Sequence, residues 1–352
     1  AAADPDHALA AYMPKAPKGR TIVIGAGKGS AQLASAFEKL WQGPLEGVVV
    51  TRYGFGCATQ RIKVLEASHP VPDEAGLHAS HALFDAVKNL TEDDLVVALI
   101  SGGGSALLPM PAGGLTLQDE IDLNKALLAS GAPISVMNAL RKQISNIKGG
   151  RLALACHPAR VVSLIVSDIP GDDPTHLGSG PTVTDTTTQA EALAILDRYA
   201  ITLPAHIKAL LDDPANDTPK ADHPAFAASR FALIARPADG VKAVASQARS
   251  LGYEIMDLGA DLEGEAREVA QAHAALALKA AAEGRKLAIL SGGELTVTMK
   301  GHGRGGPGQE YALALALALN GHPQIVAVAG DTDGTDGGSR KPGDPAGAFF
   351  FP

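Results

Sequence analysis

Two glycine-rich turns, each placed directly after an apolar run, constrain this chain more than any other feature. The first turn spans 25–30 after Thr-Ile-Val-Ile, and the second spans 101–105 after Val-Val-Ala-Leu-Ile. Such a run ending in glycines at the start of a helix is typical of a buried parallel strand in an α/β sheet. Backbone N–H groups and a positive helix end meet there, and together they hold phosphate or carboxylate. The pattern predicts an α/β protein that binds an anion.

The first turn carries a lysine, Lys28, at the predicted helix start. A cation at that end of a helix opposes the macrodipole, so it is a poor choice for stability alone. We therefore expect a negatively charged ligand opposite Lys28, and we interpret Gly25 and Gly27 as candidate nucleotide-binding residues.

Neither turn matches a standard nucleotide fingerprint. Ile22 stands where a P-loop needs its first glycine. The dinucleotide pattern fits only in part, and the acidic residue expected after the second strand is replaced by Thr51 and Arg52. This argues against NAD and leaves NADP open, because Arg52 could meet a 2′-phosphate.

Bulk composition sets the class of protein. The chain has 352 residues, 46% hydrophobic and 19% charged, which is ordinary for a soluble protein of two domains. A net charge of -8 without a Lys/Arg-rich block argues against nucleic acid. Cys57 and Cys156 lack CxxC spacing and no secretory signal is evident, so we expect reduced thiols in the cytoplasm. No apolar run is long enough for a membrane span.

Strand-like runs alternate with alanine-rich helical stretches along the chain. These runs end near Gly25, Val50, Ala67, Ile100, Val166, Ile234, Leu258, Leu290 and Ala329. The alternation predicts largely parallel sheets. A polar, proline-rich segment over 202–229 predicts a boundary between a Rossmann-like domain at 1–220 and a smaller α/β domain at 228–352. Because ligands bind beyond the carboxyl ends of such strands, we expect the site in a cleft between the domains.

The second half contains loops of the same kind. Leu290 runs into Ser-Gly-Gly-Glu at 291–294, which echoes the second turn, and a glycine-rich loop at 301–310 opens a helix predicted from Tyr311 to Leu319. Gly292, Gly293, Glu294 and Gln309 are the candidate nucleotide-binding residues here. The aspartates at 331–337 do not have EF-hand spacing, but Mg²⁺ held mainly by ligand phosphates needs only one or two carboxylates, so Asp333 is a candidate.

Eight motifs follow one another in a recognisable order. They are Gly25-Ala-Gly-Lys28, Ser68-His-Pro-Val-Pro-Asp73, Ser101-Gly-Gly-Gly-Ser-Ala-Leu107, Arg141-Lys142 with Lys148-Gly-Gly150, Ser167-Asp168, Ser179-Gly-Pro181, Gly301 to Glu310 and Asp331 to Gly337. Together they resemble the MOFRL-domain glycerate 2-kinases, some of whose members are labelled hydroxypyruvate reductase of the tartrate degradation pathway. The resemblance runs over nearly the whole chain. It implies ATP- and Mg²⁺-dependent phosphorylation of D-glycerate to 2-phosphoglycerate in a cleft between the two domains.

Two departures from the family pattern stand out. Many members have Gly-Gly-Arg-Asn-Gln-Glu where this chain has Gly-Gly-Pro-Gly-Gln-Glu at 305–310, so the family's arginine is absent at Pro307. Arg304 is the only cation left in that loop, and we transfer the catalytic role to it. The family also continues beyond Pro352, which predicts that the C-terminal domain is incomplete.

The resemblance and the needs of phosphoryl transfer assign roles to the remaining residues. Lys28 and Arg304 would share the charge that develops on the transferred group. Asp168 would accept the hydroxyl proton or, with Asp333, bind Mg²⁺. The candidates for binding the substrate carboxylate are Ser101, Gly102, Gly103, Gly104, Ser105, Arg141 and Lys148.

Each role has a structural alternative. Lys28 could be solvated, Arg141 could pair with a surface carboxylate, and Asp168 could cap a helix before Pro170. We interpret His69, before Pro70, as a turn residue rather than a base. Two other functions also stay open, an NADP-linked hydroxypyruvate reductase and a non-catalytic sensor of a nucleotide or anion. The sequence leaves monomer and homo-oligomer open.

Overall fold

The computed structural model describes residues 4–130, 132–301, 305–332, 336–337 and 347–350. The chain divides into two compact units. The N-terminal unit comprises Asp4–Ser167 and Asp173–Ile234, and the C-terminal unit comprises Asp168–Asp172 and the chain from Ala235 onward. The boundary predicted from composition, between 220 and 228, lies a few residues before the division of the two units at Ile234 and Ala235. Across the described ranges, no helix has both the length and the apolar character needed to cross a membrane.

Twelve strands and twelve α-helices are described. The strands are β1 Thr21–Ala26, β2 Glu46–Arg52, β3 Ile62–Ala67, β4 Leu95–Ile100, β5 Arg160–Val166, β6 Arg230–Ala235, β7 Glu254–Asp257, β8 Leu262–Glu265, β9 Leu287–Leu290, β10 Gly293–Thr296, β11 Ala327–Gly330 and β12 Gly347–Phe350. The helices are α1 Pro5–Ala10, α2 Ser30–Leu40, α3 Glu74–Ala86, α4 Gly104–Leu107, α5 Leu117–Ala129, α6 Ile134–Gln143, α7 Arg151–Ala155, α8 Gln189–Arg198, α9 Ala205–Asp212, α10 Pro237–Ser250, α11 Ala266–Ala282 and α12 Pro307–Leu319.

The N-terminal unit is built on a six-stranded sheet in the order β3-β2-β1-β4-β5-β6. The pairs β3/β2, β2/β1, β1/β4 and β4/β5 are parallel. Every residue of β1 and β4 is buried, as expected for central strands of a parallel sheet covered on both faces. The α/β class and all nine predicted strand ends are confirmed. The two turns that follow β1 and β4 lie side by side at the carboxyl edge of the sheet.

The polar segment at 202–229 is anchored to the N-terminal unit. Ile207 and Leu211 of α9 pack in a buried cluster with side chains of α5, α6 and α8. Thr218, which is 2% exposed, donates to the carboxylate of Asp185 at 2.9 Å. Asp185 also forms a fully buried ion pair with Lys142 at 2.9 Å. The proline-rich segment is therefore packed against the N-terminal unit and belongs to it.

The C-terminal unit contains three two-stranded pairs, β7/β9 and β8/β10, which are parallel, and β11/β12, which is antiparallel. The helices α11 and α12 share a small buried cluster that includes Ala270, Ala274, Leu315 and Leu319. The helix predicted from Tyr311 begins at Pro307, because proline is well suited to the first helical position. The sequence patterns missed β8, β10 and β12, which are four residues long and carry little alternation.

Candidate active site

The backbone N–H groups of the first turn are all used within the protein. Those of residues 27 to 30 donate, in order, to Val50 O at 3.1 Å, Gly102 O at 2.8 Å, Ser101 Oγ at 3.0 Å and Gly27 O at 3.2 Å. They are therefore occupied, although the glycine pattern predicted open donors here. The hydroxyl of Ser101 belongs to this network and links the two turns.

The glycines of the first turn are explained by close packing. A Cβ at Gly25 would lie 2.4 Å from the carbonyl oxygen of Leu99 on the neighbouring strand. A Cβ at Gly27 would lie 2.2 Å from Ser101 Oγ, and Gly27 also has a φ of 137°, which favours glycine. Contact between neighbouring strands and turns therefore requires both glycines, whether or not a nucleotide binds.

The second turn carries the open donors. The backbone N–H groups of 102–105 have no acceptor among the described residues, although Gly102 and Gly104 are buried. The first N–H groups of a helix have no intrahelical acceptor, so water or a ligand is left to supply it. Gly103 has a φ of 81°, and a Cβ there would lie 2.9 Å from Nε2 of His69 and 3.1 Å from Cγ of Lys28. The structure thus brings the side chains of Lys28 and His69 to the turn with open donors.

A chain of polar contacts leads from this turn to Arg141. Ser105 Oγ lies 2.8 Å from Ser179 Oγ, and Ser179 Oγ donates to Asn138 Oδ1 at 3.3 Å. The same Asn138 oxygen accepts from Nη1 of Arg141 at 3.2 Å. Ser179 is fully buried and has a φ of 61°, which is unusual for a residue with a side chain and typical of a functional turn.

Arg141 is held by neutral partners. Besides Asn138 it donates from Nε to Asn124 Oδ1 at 2.6 Å, and it forms no ion pair with a described carboxylate. Burial lowers the pKa of the guanidinium, although the nearby charge of Glu120 opposes this shift. A partly buried cation bound only to amide oxygens is suited to an anionic ligand.

Lys148 is paired with a carboxylate in the core. Its ammonium forms an ion pair with Glu120, and the two side chains are only 1% and 3% exposed. Because Glu120 already neutralises this charge in the core, the pair favours a structural role, and the substrate-binding role of Lys148 stays a prediction. The sequence could not show this pair, because Glu120 precedes Lys148 by a long stretch of chain.

Asp168 follows β5 by two residues, so the chain brings it to the carboxyl edge of the sheet. Among the residues that the structure describes, no three His, Cys, Asp or Glu side chains lie close enough to hold a metal ion. A carboxylate such as Asp168 still suits Mg²⁺, because that ion takes one or two protein carboxylates when phosphates supply its other oxygens. Asp333, the second predicted ligand, lies outside the described residues.

The loop at 291–294 differs from the turn that it echoes, because it leads into strand β10 rather than a helix. A Cβ at Gly293 would lie 2.1 Å from the carbonyl oxygen of Leu262, its partner on β8. The N–H of Gly292 donates to Gly259 O at 2.9 Å. Strand pairing therefore explains Gly293, and the nucleotide-binding role of Gly292, Gly293 and Glu294 stays a prediction.

The N-terminus of α12 is occupied by a carboxylate of the chain itself. Asp336, which is 1% exposed, accepts from the N–H groups of Gly308 at 2.9 Å and Gln309 at 2.8 Å. The buried amide nitrogen Nε2 of Gln309 has no acceptor among the described residues, so it is open to a ligand. Arg304 lies outside the described residues, and its role stays a prediction.

Three residues with contacts here, Asn124, Asn138 and Ser179, were not among the predicted site residues. The interpretation of His69 as a turn residue stays a prediction. The motif that contains Ser179 did carry a signal, because a serine flanked by two glycines indicates an unusual turn. Nothing in the spacing of Asn124 and Asn138 could have indicated that both bind Arg141.

Two family models match the chain. "Domain of unknown function (DUF4147)" matches residues 1–212, and "MOFRL family" matches residues 287–352. The "Glycerate 2-kinase" of Pyrococcus horikoshii is 38% identical over 343 residues, which are 94% of this chain and 76% of that protein. The chain belongs to the MOFRL glycerate kinase family.

Two further comparisons concern other members of the MOFRL glycerate kinase family. The crystal structure of a glycerate kinase from Thermotoga maritima has a TM-score of 0.85 and 34% identity, and the match covers 99% of this chain and 83% of that one. A protein of Agrobacterium vitis named "Putative hydroxypyruvate reductase" is 50% identical, over 100% of this chain and 80% of its own length. The family thus includes relatives with two different names.

Proposed function

We propose that this protein is a glycerate 2-kinase, which transfers a phosphoryl group from ATP to D-glycerate and forms 2-phosphoglycerate. One observation carries the proposal: the open N–H groups of 102–105 lie beside the side chain of Lys28. Backbone donors next to a cation suit a phosphate group. The glycerate kinase names of several relatives support the same activity.

The acceptor is a small hydroxy acid whose carboxylate binds Arg141. The contacts from Ser105 through Ser179 and Asn138 to Arg141 support this proposal, because they would join the carboxylate site to the phosphate site. The C2 hydroxyl of D-glycerate is on the carbon next to its carboxylate. Holding that carboxylate therefore fixes the C2 hydroxyl close to the phosphoryl group, and position is the main requirement of phosphoryl transfer.

The protein's own residues then have separate tasks. Lys28 stabilises the charge that develops on the transferred group, and Arg304 is proposed to share this task. Asp168 takes the proton from the acceptor hydroxyl or binds Mg²⁺, for which Asp333 is the second proposed ligand. Mg²⁺ would neutralise charge on the ATP phosphates when bound. Gly25, Gly27, Gly292, Gly293, Glu294 and Gln309 are proposed to contact the nucleotide.

A second candidate is an NADP-linked hydroxypyruvate reductase. The name of the Agrobacterium vitis relative and the position of Arg52 at the end of β2 favour it. The guanidinium of Arg52 lies 3.8 Å from the ring centroid of Phe55, so any 2′-phosphate would have to bind N–H groups in the plane of the guanidinium, beside the ring.

One experiment separates these functions. The purified protein is incubated with D-glycerate and MgATP, and the product is passed to enolase, which accepts 2-phosphoglycerate but not the 3-phospho isomer. A parallel reaction contains hydroxypyruvate and NADPH. Enolase-coupled turnover without NADPH oxidation supports the kinase. NADPH oxidation alone would support the reductase. If neither reaction shows turnover, the result favours a non-catalytic protein that binds a nucleotide or anion.

A further inference from the structure

The guanidinium of Arg141 is positioned by two asparagines on neighbouring helices. Asn124 of α5 accepts from Nε at 2.6 Å, and Asn138 of α6 accepts from Nη1 at 3.2 Å. A guanidinium only donates hydrogen bonds, so both amides must turn their oxygen toward it. The amide nitrogen of Asn138 faces the carbonyl oxygen of His176 at 3.5 Å, which fits this orientation.

The charges around Arg141 do not balance. Glu120 is close enough to act on Arg141 electrostatically, but its carboxylate forms the buried ion pair with Lys148. Arg141, Lys148 and Glu120 together leave one positive charge. A partly buried charge without a counter-ion is costly, and the cost is removed when a ligand brings the missing anion.

The remaining donors of Arg141 fit a carboxylate. Nη2 has no acceptor among the described residues, and Nη1 has a single partner. Two parallel N–H groups on one side of a guanidinium bind a carboxylate in bidentate fashion. The side chain is also partly exposed, so a small ligand can reach it.

We propose that Asn124 determines the specificity of this site for an anionic acceptor. Its neutral oxygen orients the guanidinium of Arg141 as a carboxylate would, but it leaves the positive charge for the ligand. The inference rests on the proposed function, since the acceptor there is a hydroxy acid. An aspartate at position 124 would hold Arg141 equally well and would neutralise it.

The test is the nearly isosteric variant Asn124→Asp, with Asn89→Asp as the matched control. Asn89 is exposed and has a φ of 55°, which aspartate tolerates, so the control adds the same charge away from Arg141. Calorimetry measures the affinity of each protein for D-glycerate, and steady-state kinetics give KM for D-glycerate and for ATP. Thermal unfolding of each variant is followed in parallel.

Asn124→Asp is expected to weaken D-glycerate binding about 10- to 100-fold, because a charge-assisted pair is lost. KM for ATP should stay close to that of the parent and of Asn89→Asp, and the melting temperature should not fall, because the new carboxylate gives Arg141 a counter-ion. An unchanged affinity for D-glycerate would overturn the inference. So would a lower melting temperature together with an equal loss of ATP affinity, because that pattern indicates structural damage.

A second variant and a separate binding measurement cover the cases in which Asn124→Asp does not fold or the parent is inactive. If Asn124→Asp does not fold, Asn138→Asp places a carboxylate on the other partner of the same guanidinium, and the same affinities are compared. If the parent binds D-glycerate but does not phosphorylate it, the proposed function fails. The calorimetric comparison of parent and Asn124→Asp still decides the inference in that case.

Discussion

The side-chain oxygen of Ser101 accepts a hydrogen bond from the backbone N–H of Gly29 at 3.0 Å. In the same direction across this contact, the N–H of Lys28 donates to Gly102 O at 2.8 Å. The two glycine-rich turns therefore form one hydrogen-bonded unit. This unit fixes the backbone of Lys28 against the turn whose own N–H groups are open.

Replacing Ser101 with alanine is expected to lower both stability and activity. The N–H of Gly29 would lose its acceptor in a partly buried position, which costs about 1–3 kcal/mol of unfolding free energy. Turnover should fall as well, because Lys28 is less firmly placed. Urea unfolding and kcat for D-glycerate measure the two effects. Ser130→Ala removes two local bonds, one to Leu127 O and one from the N–H of Ala132, and serves as the control, so similar losses of kcat in both variants would contradict the prediction.

The buried pair of Lys148 and Glu120 predicts a stability effect. Lys148→Met leaves Glu120 charged in the core without its partner, and breaking such a pair costs about 3–5 kcal/mol. The double variant Lys148→Met/Glu120→Leu should recover most of the loss, because hydrophobic residues can replace a buried pair. Urea unfolding at constant pH measures the free energy of unfolding of the parent, of Lys148→Met and of the double variant.

Activity provides the contrasting measurement for Lys148. The folded Lys148→Met protein should keep a KM for D-glycerate within a few-fold of the parent value. The control is Lys125→Met, which removes an exposed lysine paired with Asp122 at 3.1 Å and should cost less than about 1 kcal/mol. A large rise in KM for D-glycerate would instead support the substrate-binding role of Lys148.

The fold could be predicted from the sequence because parallel strands buried on both faces give continuous apolar runs. β1 and β4 are such strands, and both were located from these runs. The short strands β8 and β10 gave no such signal. Gly293 belongs to β10, and its glycine reflects close pairing with Leu262 rather than a helix start.

The site was predicted less well, because the same residue types serve packing and binding. Gly25 and Gly27 follow the nucleotide pattern, yet contacts with Leu99 and Ser101 already require them. Lys148 carries a charge that suits a substrate, yet Glu120 neutralises it in the core. Such pairings join residues far apart in the chain, and only the folded structure brings them together.

The two cysteines are expected to react at different rates. Cys156 is fully buried, its thiol donates to Leu152 O at 3.1 Å, and burial raises its pKa to about 12. Burial also raises the pKa of Cys57, but that side chain is only half-buried. Since the thiolate is the reactive form, iodoacetamide should modify Cys57 in the native protein and Cys156 only after unfolding. Mass spectrometry before and after guanidinium treatment locates the labels, and equal labelling in the native protein would refute the prediction.

Lys28→Ala is expected to lower kcat far more than it raises KM for D-glycerate. A cation that meets charge developing during transfer acts mainly in the transition state, and loss of one such group costs about 10²–10³ in rate. Lys28→Arg should recover only part of the rate, because the larger planar group cannot occupy the same place beside Gly103.

Lys18→Ala is the control, since the Lys18 side chain is 89% exposed and its ion pair with Asp93 is long, at 3.7 Å. If kcat of Lys28→Ala matched that of Lys18→Ala, Lys28 would be a solvated side chain. The open N–H groups at 102–105 would then have to stabilise the transferred phosphate without it.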